Sequence, residues 1–275
     1  RTRKEVPAAG TLPGQGVPSC RGPGPRLSPF PQPPTDAMGS TLRLLCLLLA
    51  ALLPGSPAAA QVGAGGEAPG GERFRVTLLT MDRGDEVWEM FGHNALLIED
   101  AATGQALAWN WGLFNFEDVD FIPRFLRGTM RYSMGPADPE PFLRSYALAN
   151  RQVYAHRIHL TQDQAERLDA FVRWNFQPEN RPYIYDYYRD NCSTRLRDAL
   201  DLVLDGQLRA AFEGVPTGAS YRWYSRRLVQ VVGWVDQGLS FLLGMRGDRP
   251  ISRWEAMFLP VELMEGLEEV EVADG

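Results

Sequence analysis

The order of strand-like and helix-like segments is the feature that most restricts the fold of this 275-residue chain. Segments 73–80, 92–100 and 105–112 are rich in β-forming residues and are typical of strands. Segment 161–176 and the segment that begins at Cys192 instead repeat apolar residues at helical spacing. Strands and helices are therefore mixed without regular βαβ alternation, which predicts an α+β fold.

The second and third strand-like segments are close enough to form a β-hairpin. A turn centred on Ala102–Thr103 would pair Ala95 with Asn110 and place His93 opposite Gly112. Asn110 would then share the His93 face at a diagonal position, within reach of a side-chain hydrogen bond. A slip of one residue would turn Asn110 to the other face.

The N-terminal part of the chain has the pattern of an export signal. We interpret 38–60 as a signal peptide, because a short arginine-containing stretch and an apolar run precede small residues that end at Ala60. The apolar run is too short for a transmembrane helix, which needs about 20 residues. We interpret 1–37 as an upstream extension, 61–71 as a linker and 72–271 as the folded periplasmic domain.

Removal of the signal peptide would leave Cys192 as the last cysteine, because Cys20 and Cys46 both precede Ala60. Exported compartments oxidise cysteines into pairs. A lone thiol in such a compartment is either buried and inert or retained for its reactivity.

The position of Cys192 favours reactivity. Either Asp190 or Asn191 is a good N-cap, and either places the cysteine in the first turn of a helix whose apolar stripe begins at Leu196. A thiol at a helix N-terminus lies at the positive end of the helix dipole, which favours the nucleophilic thiolate.

A cysteine nucleophile most often needs a histidine partner, and the chain offers His93, His156 and His159. His156 and His159 are three apart on a predicted strand, so they face opposite sides and make a poor metal-binding pair. His93 follows a glycine and opens an apolar strand, where a cleft could form. We predict a Cys192–His93 dyad with Asn110 as third member, Asp190 and Asn191 being the competing candidates, and no metal or other cofactor.

Charge and composition exclude other classes of function. A formal net charge of −6 argues against nucleic-acid binding, which requires basic patches. Lys4 is the only lysine, so the folded part has no lysine for Schiff-base chemistry.

Several sequence blocks resemble a known family. The blocks are FGHNALLIED, WNWGLFNFEDVDF, FLRGTMRYSM, YIYDYYRDNCSTRLRD and RWEAMFLP. They resemble the Lnb N-terminal periplasmic domain family over most of residues 73–265. The resemblance implies a permuted papain-like fold of the NlpC/P60 type, with an antiparallel sheet packed on helices and a helical C-terminal part. In such folds the histidine strand precedes the cysteine helix, which is the order of His93 and Cys192.

The resemblance also implies an activity, because the named member of the family is a lipoprotein N-acyltransferase. Cys192 would take a fatty acyl group from phospholipid as a thioester. It would then pass this group to the amine of a lipoprotein's N-terminal diacylglyceryl-cysteine, with peripheral membrane contact. Trp109, Trp111, Tyr185 and Asn191 are the residues that we expect to bind substrate, although such aromatics could equally belong to the core.

Two alternatives remain open at this point. An NlpC/P60-like cysteine peptidase or amidase acting on cell-wall peptides would need a polar, open groove. A non-catalytic envelope binding module would leave His93 far from Cys192, or would seal the thiol inside the protein.

Overall fold

The structure is a computed structural model that describes residues 72–86, 89–113, 130–230, 233, 236 and 247–271. The predicted extension, signal peptide and linker lie outside the described residues. A short helix that the sequence predicts at 118–128 lies outside them too.

A six-stranded antiparallel sheet forms the centre of the described domain. Its strands are β1 Phe74–Met81, β2 His93–Asp100, β3 Gln105–Leu113, β4 Arg131–Ala137, β5 Val153–Ile158 and β6 Pro182–Ile184. They lie in the order β5-β1-β2-β3-β4-β6, and every neighbouring pair is antiparallel. The first four strands are thus adjacent in space as well as in sequence, as consecutive strands usually are.

The β2–β3 hairpin has the register that the sequence predicts, with Ala95 paired to Asn110. Its turn is closed by Asp100, whose carbonyl accepts from the Gly104 N–H at 2.8 Å and whose Oδ1 accepts from the Ala102 N–H at 2.9 Å. Gly104 adopts a φ of +69°, which favours glycine. This register brings the start of β2 beside the end of β3.

Seven helices surround the sheet among the described residues. They are α1 Pro139–Leu148, α2 Gln162–Asn175, α3 Cys192–Val203, α4 Gln207–Phe212, α5 Tyr221–Val229, α6 Arg253–Ala256 and α7 Pro260–Glu269. A second, two-stranded sheet pairs β7 Pro216–Ser220 with β8 Pro250–Ser252. The α+β class and the helical C-terminal part are therefore confirmed.

The main hydrophobic core joins the sheet to α2 and α3. The apolar stripe of α3 is buried, with Leu196 and Leu200 both fully enclosed. They pack with Leu78, Leu96, Trp111, Met134 and Leu168. Burying each such side chain contributes about 1.5–3 kcal/mol, so this interface fixes the first turn of α3 against the sheet.

Candidate active site

His93 and Asn110 meet where the hairpin places the start of β2 beside the end of β3. His93 Nε2 lies 3.1 Å from Asn110 Oδ1. Asn110 Nδ2 donates to the Ala108 carbonyl at 3.2 Å, which orients the amide so that its oxygen faces the imidazole. Because Oδ1 can only accept, His93 Nε2 carries the hydrogen in this pair. The other ring nitrogen, Nδ1, is therefore the one that can take a proton.

Cys192 is the first residue of α3, and Asn191 is its N-cap. The Asn191 Oδ1 accepts from the Thr194 N–H at 2.8 Å, and Thr194 Oγ1 accepts from the Asn191 N–H at 2.8 Å. This capping box holds the first turn that presents the thiol. Cys192 is a partly buried residue.

Cys192 and His93 are close enough that each shifts the pKa of the other. Burial by itself would raise the pKa of the Cys192 thiol, but the charge of His93 and hydrogen bonding to the sulfur together outweigh burial and lower it. Burial would likewise lower the pKa of His93, and the Cys192 thiolate outweighs that effect and raises it. Both directions favour a thiolate–imidazolium pair.

Two main-chain amides also affect the thiol. Hydrogen bonding by the N–H groups of Asn94 and Ser193 lowers the pKa of Cys192. Neither residue was among the site residues predicted from sequence. The available signal was Asn94 itself, a polar residue inside the apolar strand HNALLIED.

A bulge in β3 leaves space beside the pair. The β3–β4 register shifts between Trp111 and Leu113, and Gly112 has a φ of +120°. A Cβ at Gly112 would lie 3.7 Å from His93 Cε1 and 4.0 Å from Cys192 Cβ. The missing side chain thus leaves room against both reactive residues, where a substrate carbonyl could approach.

Tyrosines form the aromatic surroundings of the thiol. Burial raises the pKa of Tyr132 to about 12, and it raises the pKa values of Tyr183, Tyr185 and Tyr187 well above their usual range, with the negative charge of Cys192 adding to each. The Tyr132 and Tyr185 rings stack with centroids 4.2 Å apart. These four rings are within electrostatic reach of the sulfur.

The residues that we expected to bind substrate have different locations. Tyr185 is partly buried and belongs to the tyrosine group around Cys192. Trp109 and Trp111 are only 2% and 1% exposed and belong to the core, because neighbours in a strand alternate faces and Asn110 lies on the His93 face. Asn191 is buried as well, and its amide donates to the Tyr187 and Phe258 carbonyls at 2.8 and 2.9 Å. The tryptophans and Asn191 thus have structural contacts of their own, and their part in binding substrate stays a prediction.

The competing third members and the other histidines are occupied elsewhere. Asp190 forms a two-point ion pair with Arg195, at 2.5 and 3.0 Å. His156 Nε2 lies 2.8 Å from Glu268 Oε1 at the sheet edge, and His159 follows β5 on the exposed surface. Within the described ranges, no group of three or more histidine, cysteine, aspartate or glutamate side chains could hold a metal ion.

Fold and site together define an α+β protein with an antiparallel sheet and a candidate Cys–His–Asn site at one end of its central hairpin. The family model of the Lnb N-terminal periplasmic domain matches residues 71–226. The chain belongs to this family, which indicates a periplasmic location.

Other comparisons add no relatives. No curated protein and no solved structure matches the chain. Among the helices that the structure describes, none is long and apolar enough to cross a membrane.

Proposed function

We propose that this protein is a periplasmic cysteine acyltransferase that forms an acyl-enzyme on Cys192. The observation that carries the proposal is that Cys192, at the tip of α3, and His93, at the start of β2, both lie beside Gly112, whose Cβ position is 4.0 Å from Cys192 Cβ and 3.7 Å from His93 Cε1. A thiolate beside an imidazolium is the arrangement that nucleophilic catalysis by cysteine requires. We also propose the permuted papain-like architecture, in which the histidine strand precedes the cysteine helix.

The first half-reaction would acylate the enzyme. The Cys192 thiolate attacks the ester carbonyl of a phospholipid, forming the carbon–sulfur bond as the ester carbon–oxygen bond breaks. The His93 imidazolium gives its proton to the departing lysophospholipid oxygen. Asn110 orients the ring, because His93 Nε2 donates to Asn110 Oδ1. Nδ1 is then the ring nitrogen that exchanges a proton with the reacting groups.

The second half-reaction would release the acyl group to an amine. Neutral His93 takes a proton from the α-amine of a lipoprotein's N-terminal diacylglyceryl-cysteine. The nitrogen forms an amide with the acyl carbon, the carbon–sulfur bond breaks, and the thiolate is regenerated. The domain would thus act after export, following cleavage of the signal peptide near Ala60.

The aromatic surroundings of the thiol favour an acyl chain over a cell-wall peptide. Tyr132, Tyr185 and Tyr187 lie near Cys192, and Phe91 packs on Tyr187 with ring centroids 4.7 Å apart. Aromatic side chains around the thiol would keep water away from it, which would protect a thioester from hydrolysis. A peptidase would instead need polar groups to bind its peptide.

Peripheral membrane contact is part of this proposal. Trp223 on α5 is 53% exposed, and Arg227 Cζ lies 4.9 Å from its ring centroid. Tryptophan and arginine are well suited to the boundary between lipid headgroups and acyl chains.

A turnover assay tests the proposal against its alternative. Purified protein is mixed with phospholipid vesicles and a synthetic diacylglyceryl-cysteine peptide, and the products are identified by mass spectrometry. We expect N-acylated peptide in amounts exceeding the enzyme. Free fatty acid without acylated peptide would indicate a hydrolase. Release of fragments from purified cell wall, with no reaction on lipid, would support the peptidase or amidase.

A further inference from the structure

Asn94 is a polar residue in a position where a strand would ordinarily carry an apolar one. It follows His93 in β2, and its side chain is fully buried. Burying an amide without hydrogen bonds costs free energy, so a buried asparagine normally has defined partners.

The Asn94 side chain donates two hydrogen bonds through its amide nitrogen. Nδ2 donates to Ser193 Oγ at 3.3 Å and to the Pro260 carbonyl at 3.3 Å. Oδ1 has no partner among the described residues. The Ser193 hydroxyl in turn donates to the Met257 carbonyl at 2.7 Å. One amide thus joins β2 to the first turn of α3 and to the chain that enters α7.

The two residues joined by this amide are the chain neighbours of the predicted pair, since Asn94 follows His93 in β2 and Ser193 follows Cys192 in α3. Hydrogen bonding by their main-chain N–H groups lowers the pKa of the thiol. Hydrogen bonds to an anionic acceptor are stronger than those to a neutral one, so the two amides favour the thiolate. Hydrogen bonds weaken steeply with misalignment. Both amides therefore need the strand and the helix to keep a fixed separation.

We propose that Asn94 is a positioning residue for Cys192, and that its bond to Ser193 holds β2 and α3 together so that both amides donate to the sulfur. This inference rests on the proposed role of Cys192 as nucleophile. Residues 257–260, which follow the region matched by the family model, complete the arrangement by accepting bonds from Asn94 and Ser193.

Thiol alkylation across a pH series tests this role directly. The rate of reaction of full-length protein with iodoacetamide gives the pH midpoint of the Cys192 thiol. Loss of one charge-assisted bond should raise that midpoint by about one pH unit. We expect Asn94→Leu, which keeps the number and branching of the side-chain heavy atoms and removes the donors, to raise it by at least this amount. At a pH below the midpoint of the unsubstituted protein, its alkylation should be about 10-fold slower.

A matched control separates positioning from general destabilisation. Asn175 is another buried asparagine, bonded to Trp111 Nε1 at 2.9 Å and to the Asn180 carbonyl at 3.1 Å, away from the sulfur. Asn175→Leu should lower stability and leave the alkylation midpoint unchanged. If Asn94→Leu does not fold, Ser193→Ala, which removes the bridging hydroxyl alone, gives the same test and should raise the midpoint by a smaller amount.

If Asn94→Leu folds and its alkylation midpoint is unchanged, the inference is overturned. If only Ser193→Ala folds, an unchanged midpoint in that variant has the same consequence. A shift in Asn175→Leu as large as that in Asn94→Leu would also overturn the inference. The alkylation midpoint is measured without any lipid turnover. A shifted midpoint in an enzyme that takes no acyl group would uphold the positioning role and reject the proposed substrate.

Discussion

At the scale of single residues, the chemistry depends on which protonation states Cys192 and His93 hold. The pKa of the thiol is lowered, so the thiolate is present at a pH below the usual thiol range and is lost as pH falls through the lowered value. The pKa of His93 is raised, so the imidazolium persists until pH rises through that value. The ion pair exists between the two, which predicts a bell-shaped pH dependence of acylation.

Removing the imidazole of His93 should reverse the lowering of the Cys192 pKa. In His93→Ala the charge and hydrogen bonding of the imidazole are gone while burial remains, so the pKa of Cys192 should rise to the ordinary range of a thiol or above it. Alkylation by iodoacetamide at pH 7 should then slow by about 10-fold or more. His156→Ala, which loses only the contact with Glu268, should alkylate like the original protein. Equal rates in all three proteins would contradict the dyad.

Asn110 should affect the imidazole rather than the thiol. Asn110→Ala removes the acceptor for His93 Nε2, and we expect acylation to slow by about 10-fold or more as ring orientation is lost. Asn110→Asp keeps an acceptor and should retain most of the rate. The alkylation midpoint of Cys192 should change little in Asn110→Ala, and a rate of acylation unaffected by this change would remove Asn110 from the site.

At the scale of elements, the site is built by a bulge and a helix tip. Gly112→Ala places a methyl group 3.7 Å from His93 Cε1, in the space that we assign to the approaching carbonyl. Displacing a substrate by about 1 Å can cost about 100-fold in rate. We therefore expect thioester formation to slow by at least about 10-fold.

Gly104→Ala is the control for backbone strain. Gly104 also has a positive φ, but a Cβ there meets no atom within 4 Å. Both substitutions should lower the free energy of unfolding by about 1 kcal/mol, as measured by urea denaturation. Only Gly112→Ala should slow thioester formation, and similar rates in the two variants would show that the space beside Gly112 is not used.

Elements were predictable from sequence where local pattern determines them. The β2–β3 hairpin followed from alternation and a short turn, and its register brought Asn110 to His93. The strands β6, β7 and β8 were missed because they are short, begin with proline and are defined by pairing with distant strands. Proline and short length both weaken the strand signal.

The site was predictable to the extent that its residues meet along the hairpin or begin a helix. Asn94 contacts Ser193 and Pro260, which lie 99 and 166 residues further along the chain, so no local pattern reports these bonds. The burial of Trp109 and Trp111 in β3 was not predicted, because aromatic character alone does not tell a pocket from a core. Alternation with Asn110 was the information that would have placed them in the core.

At the scale of the whole molecule, the core between sheet and helices holds the thiol in place. Leu200 is fully buried, whereas Leu202 on the same helix is 41% exposed. Leu200→Ala should lower the free energy of unfolding by about 2–5 kcal/mol through lost burial and the cavity it leaves. Leu202→Ala should change it by about 0.5 kcal/mol or less. Urea denaturation measures both, and equal losses would contradict the assigned core.

The most direct test of the central claim is a search for the acyl group on the enzyme itself. Purified protein is incubated with a phospholipid of defined acyl chains and no acceptor, and its intact mass is measured. We expect the mass of one acyl chain on Cys192, lost on treatment with neutral hydroxylamine and absent from Cys192→Ala. The account would be contradicted if no adduct forms while Cys192 still reacts with iodoacetamide. It would also be contradicted if the adduct persists in Cys192→Ala.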